Sequence, residues 1–251
     1  MAFAQVQFFS NVLLKQVALN AILPDAGSGP FATYYLLHGL SDDYTIWQRR
    51  TRIEIYAAAW PMIVVMPDGH RGFYTDNAEG PAYAQFFTQE LPAFVERIFP
   101  ARPSRSARCI GGLSMGGYGA LRLALGRPDL FISANSHSGS MRAGNKQYSR
   151  ATEPERVRIF GSNPSGSDHD LEALAKRAKA AGLLPRLRLD CGGEDFLLED
   201  NRAFHAALEA MAAPHEYTEY PGAHDWDYWD LHVREALAFH AAAMGLERMP
   251  V

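Results

Sequence analysis

The sequence feature that most constrains the fold of this chain is a serine between two pairs of glycines. Residues 112–116 have the form G-x-S-x-G, with Ser114 at the centre. An apolar run that includes Cys109 and Ile110 precedes them, and residues 120–125 have the composition of a helix. This order predicts a nucleophile elbow, a sharp turn between a strand and a helix that lifts a serine hydroxyl above a sheet. A glycine-rich turn without any chemistry is the alternative that these five residues leave open.

Buried strands alternate with helices along the rest of the chain. Besides the strand of the elbow, strands are predicted at residues 4–10, 15–23, 31–37, 62–66, 131–135, 187–191 and 216–220. Further helices are predicted at residues 46–59, 83–98 with a kink at Pro92, 171–181, 198–211 and 226–244. The short connection at Ser10-Asn11 favours antiparallel pairing of the first two strands. The pattern predicts an α/β fold, with a mostly parallel central sheet, an antiparallel N-terminal edge and helices on both faces.

No linker-like composition divides the 251 residues, so one domain covering residues 1–251 is predicted. Periodicity is lost at residues 140–167, which are predicted to form a lid-like insert, with a solvated surface loop as the alternative. The basic residues of this insert are Arg142, Lys146, Arg150, Arg156 and Arg158.

Charge and composition exclude several classes of partner. The formal net charge of -4, without a long basic run, argues against nucleic acid and against an anionic membrane surface. No apolar run is long enough for a membrane span, and residues 1–15 lack the basic start of a signal peptide. Cys109 and Cys191 fall in predicted strands and fit no metal motif, which favours buried free thiols and a cytoplasmic protein. The sequence is compatible with a homo-oligomer but does not specify one.

The position of each candidate relative to the strand ends selects the partners of Ser114. A serine nucleophile needs a base within hydrogen-bond reach, and the base needs a third group that holds it. In parallel sheets, ligands gather beyond the carboxyl ends of the strands. His224 follows the last predicted strand at that end, and Asp195 directly follows the strand at residues 187–191. The predicted catalytic residues are therefore Ser114, Asp195 and His224, with no metal.

Two other carboxylates remain alternatives for the acidic residue that holds the histidine. Glu194 is the first alternative, because it lies in the same loop as Asp195. Asp190 is a weaker alternative, because it is still within the predicted strand.

Attack on an acyl carbon creates an oxyanion, which needs preorganised donors. We expect the backbone N–H groups of Met115 and Leu40 to form this oxyanion hole. His38, in the loop that carries Leu40, is expected to brace the loop rather than transfer protons. Trp47, Tyr74 and Trp226 are aromatic residues that could wall the substrate pocket, with core packing as the alternative for each.

With these residues placed, the chain resembles the esterase D-like branch of the α/β-hydrolases. The matching stretches are residues 36–41, 66–69, 112–120, 191–196 and 222–226. Within that branch, the loop at residues 193–201 is most similar to bacterial tributyrin-type acyl esterases. The chain order Ser114, Asp195, His224 is also the order in α/β-hydrolases.

The resemblance implies a serine carboxylesterase that hydrolyses short-chain acyl esters through an acyl-serine intermediate, without metal or organic cofactor. The implied partner is a small-molecule ester. S-formylglutathione hydrolase-type thioesterases and feruloyl or acetylxylan esterases belong to the same branch and remain alternatives. S-formylglutathione hydrolases commonly have histidine at the position where this chain has Tyr118. An acyltransferase and a non-catalytic binding protein are the more distant alternatives.

Overall fold

The central sheet agrees with the predicted architecture. The computed structural model describes residues 1–249, and in that range eight strands form one sheet. The strands are β1 (Ala2–Ser10), β2 (Lys15–Leu23), β3 (Ala32–Leu37), β4 (Met62–Pro67), β5 (Arg108–Leu113), β6 (Ser133–His137), β7 (Arg186–Gly192) and β8 (Glu216–Tyr220). Their order is β1-β2-β4-β3-β5-β6-β7-β8. The β1/β2 and β2/β4 pairs are antiparallel and the others are parallel, which confirms the predicted sheet and its N-terminal edge.

Helices cover both faces of this sheet. They are α1 (Ile46–Arg50), α2 (Ile53–Ala57), α3 (Tyr83–Gln85), α4 (Leu91–Ile98), α5 (Met115–Gly126), α6 (Pro154–Phe160), α7 (Leu171–Ala180), α8 (Leu198–Ala210) and α9 (Trp226–Met244). Successive strand residues face opposite sides, so Tyr35 on β3 joins the core under α5 and α7, whereas Tyr34 joins the core under α9. No helix within residues 1–249 combines the length and the apolar character that a membrane crossing requires.

Two predicted helices are interrupted, each for a local reason. The helix predicted at residues 46–59 breaks between α1 and α2, where Thr51 is extended and the Arg52 N–H donates to Asp230 on α9 (2.8 Å). In the helix predicted at residues 83–98, the irregularity is a π-helical turn at Phe86–Glu90. It lies just before Pro92, which has no N–H to donate to the preceding turn.

Strand β6 ends two residues later than predicted. The strand was predicted at residues 131–135, but Ser136 and His137 continue the pairing with β5 and are fully buried. His137 is therefore the last residue of a central strand.

The insert at residues 140–167 contains α6, where no helix was predicted. It is fastened to the loop that follows β4. The Ala78 N–H donates to the carbonyl of Ile159 (3.0 Å), and Arg71 forms two hydrogen bonds with Glu155 (2.7 and 2.8 Å). The insert is thus bonded to the loop after β4, and its residues Val157 and Phe160 join the core on the α5 side of the sheet.

Candidate active site

Ser114 lies on a strained turn between β5 and α5. Its φ of 52° and ψ of -114° are unusual for a residue with a side chain, and its N–H donates to the carbonyl of His137 (2.9 Å). A Cβ atom at Gly112 or at Gly116 would lie 2.6 Å from the carbonyl oxygen of Leu37. Both glycines of the G-x-S-x-G pattern are therefore required, because the end of β3 passes directly against the turn.

The structure brings Ser114, His224 and Asp195 together in one hydrogen-bonded chain. His224 Nε2 lies 3.0 Å from Ser114 Oγ, and His224 Nδ1 lies 2.8 Å from Asp195 Oδ2. With the proton on Nδ1, the ring donates to the carboxylate and Nε2 accepts from the serine hydroxyl. This is the arrangement that a serine nucleophile with a general base requires.

Backbone contacts hold the loops of Asp195 and His224 against each other. The Gly193 N–H donates to the carbonyl of Tyr220 (2.8 Å), and the Glu194 N–H donates to that of Gly222 (2.9 Å). A Cβ atom at Gly192 would lie 2.3 Å from the Gly222 oxygen, so only glycine allows this approach. The separation of acid and base is therefore set by the main chain.

Asp195 stays ionised although its carboxylate is shielded from water. Burial acts to raise the pKa of Asp195, but hydrogen bonds to His224 and to the Leu197 N–H (2.7 Å) outweigh it. A further hydrogen bond from Ser138 acts in the same direction, and the pKa of this carboxyl falls below its usual value. An ionised Asp195 orients the His224 ring and stabilises its protonated form.

Two aromatic rings flank the histidine. The ring of Trp229, on α9, lies edge-on at a centroid distance of 4.9 Å from His224. The ring of Phe196 lies 4.5 Å away on the cleft side and is 78% exposed. Phe196 received no role from the sequence, although its position next to Asp195 was the available signal.

The two alternative acids lie elsewhere. Glu194 is exposed, and the hydrogen-bond partner of His224 Nδ1 is Asp195. Asp190 is fully buried and bonds to a second histidine, His137, whose Nδ1 lies 2.8 and 2.9 Å from the two carboxylate oxygens. Tyr228 also donates to Asp190 (3.1 Å). Asp190 therefore belongs to a buried polar network on the α9 side of the sheet.

Asn135 extends this network across β6. Its amide donates to His137 Nε2 (3.0 Å), and its oxygen accepts from Tyr34 (2.8 Å) and from His240 Nε2 (2.9 Å). Burial lowers the pKa of His240 well below its usual value, so this ring is neutral. A Cβ atom at Gly111 would lie 1.6 Å from the Asn135 oxygen, which explains a glycine within β5.

Replacement of Asp190 by alanine should destabilise the protein strongly. The variant leaves the His137 and Tyr228 donors buried without an acceptor, and loss of one partner of a buried pair costs about 3–5 kcal/mol. Urea unfolding followed by circular dichroism measures the change. Asp227→Ala, at an exposed position of α9, is the control and should change the free energy of unfolding by less than about 0.5 kcal/mol. Equal effects of the two substitutions would contradict a stabilising network.

Of the two predicted oxyanion donors, Met115 follows Ser114 directly and Leu40 lines the same cleft. Met115 is the first residue of α5, so its N–H is one of the helix N-terminal donors without an intrahelical acceptor. Leu40 lines the cleft over Ser114. His38, two residues earlier, accepts the Gly69 N–H at Nε2 (2.9 Å) and contacts the Gly39 carbonyl at Nδ1 (2.7 Å), so it braces the loop as expected.

A cleft of about 240 Å³ opens over Ser114. It is lined by Leu40, Phe73, Ser114, Ser140, Ala143, Lys146, Tyr148, Glu153, Arg156, Phe196, Leu197 and Asp200. Six of these twelve residues belong to the insert at residues 140–167, so the insert supplies half of the wall.

The aromatic residues predicted to line the pocket lie outside this cleft. Trp47 is 1% exposed and donates to the carbonyl of Leu37 (3.0 Å). Tyr74 is fully buried and donates to the carbonyl of His38 (2.9 Å). Trp226 is half-buried and packs edge-on against Trp47 at 5.4 Å. Their aromatic character serves core packing, and the cleft takes its aromatic surface from Phe73, Tyr148 and Phe196 instead.

Comparisons with known proteins agree with this geometry. The model of the putative esterase family matches residues 10–240. An acetyl esterase of Caldicellulosiruptor saccharolyticus is 34% identical, over 94% of this chain and 97% of that protein. The structure of FphF, a fluorophosphonate-binding serine hydrolase of Staphylococcus aureus, superposes with a TM-score of 0.86 at 31% identity, covering 95% of this chain and 98% of that one.

A second structure from Staphylococcus aureus, the S-formylglutathione hydrolase FrmB, has a TM-score of 0.84 at 31% identity and covers the same shares of the two chains. The predicted α/β-hydrolase-type fold and the resemblance to esterases are thereby confirmed. The chain belongs to the putative esterase family.

Proposed function

We propose that this protein is a serine carboxylesterase in which Ser114, His224 and Asp195 carry the reaction. The observation that supports the proposal is the continuous hydrogen-bonded chain from Ser114 Oγ through His224 to Asp195. Its three members come from three separate strand ends, and the serine lies in the cleft. The acetyl esterase relative favours an ester as the substrate.

The geometry allows each step of acyl transfer to be written with its protons. Ser114 Oγ attacks the acyl carbon, while His224 Nε2 takes the hydroxyl proton and Asp195 stabilises the resulting imidazolium. The N–H groups of Leu40 and Met115 donate to the oxyanion of the tetrahedral intermediate, and each such donor is worth roughly 3 kcal/mol. His224 then gives its proton to the leaving alcohol oxygen, and the acyl-serine forms.

Water completes the cycle in the same site. It attacks the acyl-serine carbon as His224 takes one of its protons, and a second oxyanion forms at the same donors. The bond to Ser114 Oγ then breaks as His224 returns the proton to that oxygen. The acid is released and the enzyme is restored.

Short acyl groups fit the cleft best. Its volume of about 240 Å³ lies below the range of roughly 300–1,000 Å³ that is typical of pockets for drug-sized ligands. We propose one catalytic domain, in which the insert shapes the cleft, and a small-molecule ester as its partner. A cytoplasmic location is part of the proposal and is supported by the two buried free thiols, Cys109 and Cys191.

A thioesterase is the second candidate, because the FrmB structure is 31% identical to this chain. Tyr118 replaces the histidine that is common in S-formylglutathione hydrolases, but this difference does not argue against a thioesterase. Tyr118 is fully buried and donates to the carbonyl of His169 (2.7 Å), so this position packs α5 and lies outside the cleft. Rates on S-formylglutathione and on 4-nitrophenyl acetate, measured at equal enzyme concentration, separate the two candidates.

A series of 4-nitrophenyl esters should show a limit in acyl length. We expect the highest kcat/KM with acetate to butyrate and a decline towards octanoate, because a longer chain exceeds the space over Ser114. Release of 4-nitrophenol measures the rate. An optimum at octanoate or longer would contradict a short-chain cleft.

Labelling tests the nucleophile directly. A fluorophosphonate should phosphonylate Ser114, with the oxygen–phosphorus bond formed as fluoride leaves. Mass spectrometry should then find the adduct on the peptide that contains Ser114. An adduct at another residue, with Ser114 unlabelled, would refute the proposed mechanism.

A further inference from the structure

Arg156 lies in the wall of the cleft and forms no ion pair with a carboxylate of the described residues. It belongs to α6 of the insert and lines the same cleft as Ser114. Its Nη1 is shielded from solvent and has no hydrogen-bond partner. Among residues 1–249, no carboxylate oxygen lies within 4.0 Å of its guanidinium. The other nitrogens of the group are not enclosed in this way, so the guanidinium keeps donors that are accessible from outside the protein.

Phe73 holds the guanidinium in place. The Arg156 Cζ lies 4.1 Å from the centroid of the Phe73 ring, a close cation–π contact. Phe73 itself has a φ of 50° and is 1% exposed, a conformation that persists only where the surroundings fix it. The planar donor group therefore rests on a rigid platform, which lowers the entropy lost when a ligand binds.

Neighbouring charges are already paired or solvated. Lys146, in the same cleft, lies 3.4 Å from Asp200, and Arg150 of the insert pairs with Glu79. Glu153 also lines the cleft but is exposed, so water satisfies its carboxylate. The unmet electrostatic requirement of the cleft is thus for an anion at Arg156.

We propose that Arg156 binds a carboxylate carried by the ester substrate, so that the protein prefers acidic esters over neutral ones. A carboxylate can accept two parallel N–H donors from a guanidinium, which gives direction as well as charge. The inference rests on the proposed esterase function and adds the class of substrate. The carboxylate belongs either to the acyl group or to the leaving alcohol, and the two arms of the experiment distinguish these sources.

Two matched substrate pairs test the proposal. In the acyl arm, the 4-nitrophenyl monoester of glutaric acid is compared with its methyl ester, which is neutral. In the alcohol arm, 4-acetoxybenzoate is compared with methyl 4-acetoxybenzoate. In one of the two arms, wild type should hydrolyse the acidic ester with a kcat/KM about tenfold above that of the neutral ester, because charge-assisted hydrogen bonds are strong.

Substitutions at two positions of α6 test whether Arg156 causes the preference for acidic esters. Arg156→Met should abolish the acidic-over-neutral ratio of kcat/KM, and Arg156→Lys should keep part of it. Arg158→Met removes the same charge from an exposed position of α6 and should keep the full ratio. Because each ratio compares two substrates on one protein, general damage to the cleft cancels. High salt should reduce the wild-type ratio, since the group is half-exposed.

Specific results would overturn the inference. Equal kcat/KM for acidic and neutral esters in both arms of wild type would refute it, and so would a ratio that survives in Arg156→Met. In either case, the esterase function would still be supported if wild type hydrolysed the neutral esters and Ser114→Ala did not. If Ser114→Ala hydrolysed all four esters as wild type does, the esterase mechanism would fall instead.

Discussion

Substitution of Ser114 by alanine should lower kcat for 4-nitrophenyl acetate by about a million-fold. The variant removes the atom that forms the acyl intermediate, and neither His224 nor the oxyanion donors supply another nucleophile. The fold should persist, because the Ser114 backbone bonds to His137 and Tyr118 do not involve the hydroxyl. Release of 4-nitrophenol gives the rate, and circular dichroism reports on the fold.

Ser140→Ala is the matched control for this result. Ser140 also lines the cleft, and its N–H donates to the carbonyl of Ser114 (3.1 Å), a bond that the substitution keeps. Its loss of rate should be far smaller than that of Ser114→Ala. A folded Ser114→Ala protein that retains a few per cent of the wild-type kcat would show that another residue is the nucleophile.

Substitution of Asp195 by asparagine should lower kcat by about ten-thousand-fold. Asparagine has nearly the same shape, but it is neutral and can present its amide to His224 Nδ1. That contact favours the tautomer with the proton on Nε2, which then has no lone pair to accept the Ser114 proton. The loss of negative charge also removes stabilisation of the imidazolium.

Glu194→Gln provides the control for Asp195, because the two residues are adjacent and lose the same charge. Glu194 is exposed, so this variant should stay within a few-fold of wild type. Asp190→Asn extends the comparison to the third candidate. If a folded Asp190→Asn or Glu194→Gln protein lost as much rate as Asp195→Asn, the assignment of Asp195 as the acid would be wrong.

The candidate site could be predicted from the sequence because its chemistry is tied to strand ends. Ser114 and Asp195 follow apolar runs, and His224 follows a short run of the strand-forming residues Tyr and Thr with two glutamates. Parallel strands bring such positions to one edge of the sheet. The elbow glycines gave a further signal, since each lies against the end of β3. The strand ends and the elbow glycines depend on backbone geometry, and a short stretch of sequence is enough to indicate that geometry.

Features that depend on long-range side-chain contacts were not readable. His137 lies beyond the predicted strand, and Asn135 is a polar residue at its predicted end. Asp190 and His240 nevertheless satisfy their polar atoms inside the core. Trp47 is a large aromatic residue near a loop, and nothing local indicates that its ring points inwards. Sequence periodicity reports burial of apolar side chains, so it misses polar groups that are buried because they are bonded to one another.

The outer contacts of the insert involve other residues than the contacts that position Asp195 and His224. Its anchors, such as the bond from Ala78 to Ile159 and the pair of Arg71 with Glu155, lie on the loop after β4. The loops of Asp195 and His224 are held to each other by the hydrogen bonds from Gly193 to Tyr220 and from Glu194 to Gly222. Substitutions of cleft-lining residues in the insert other than Ser140 can therefore change the wall of the cleft without altering the hydrogen bonds that position Asp195 and His224.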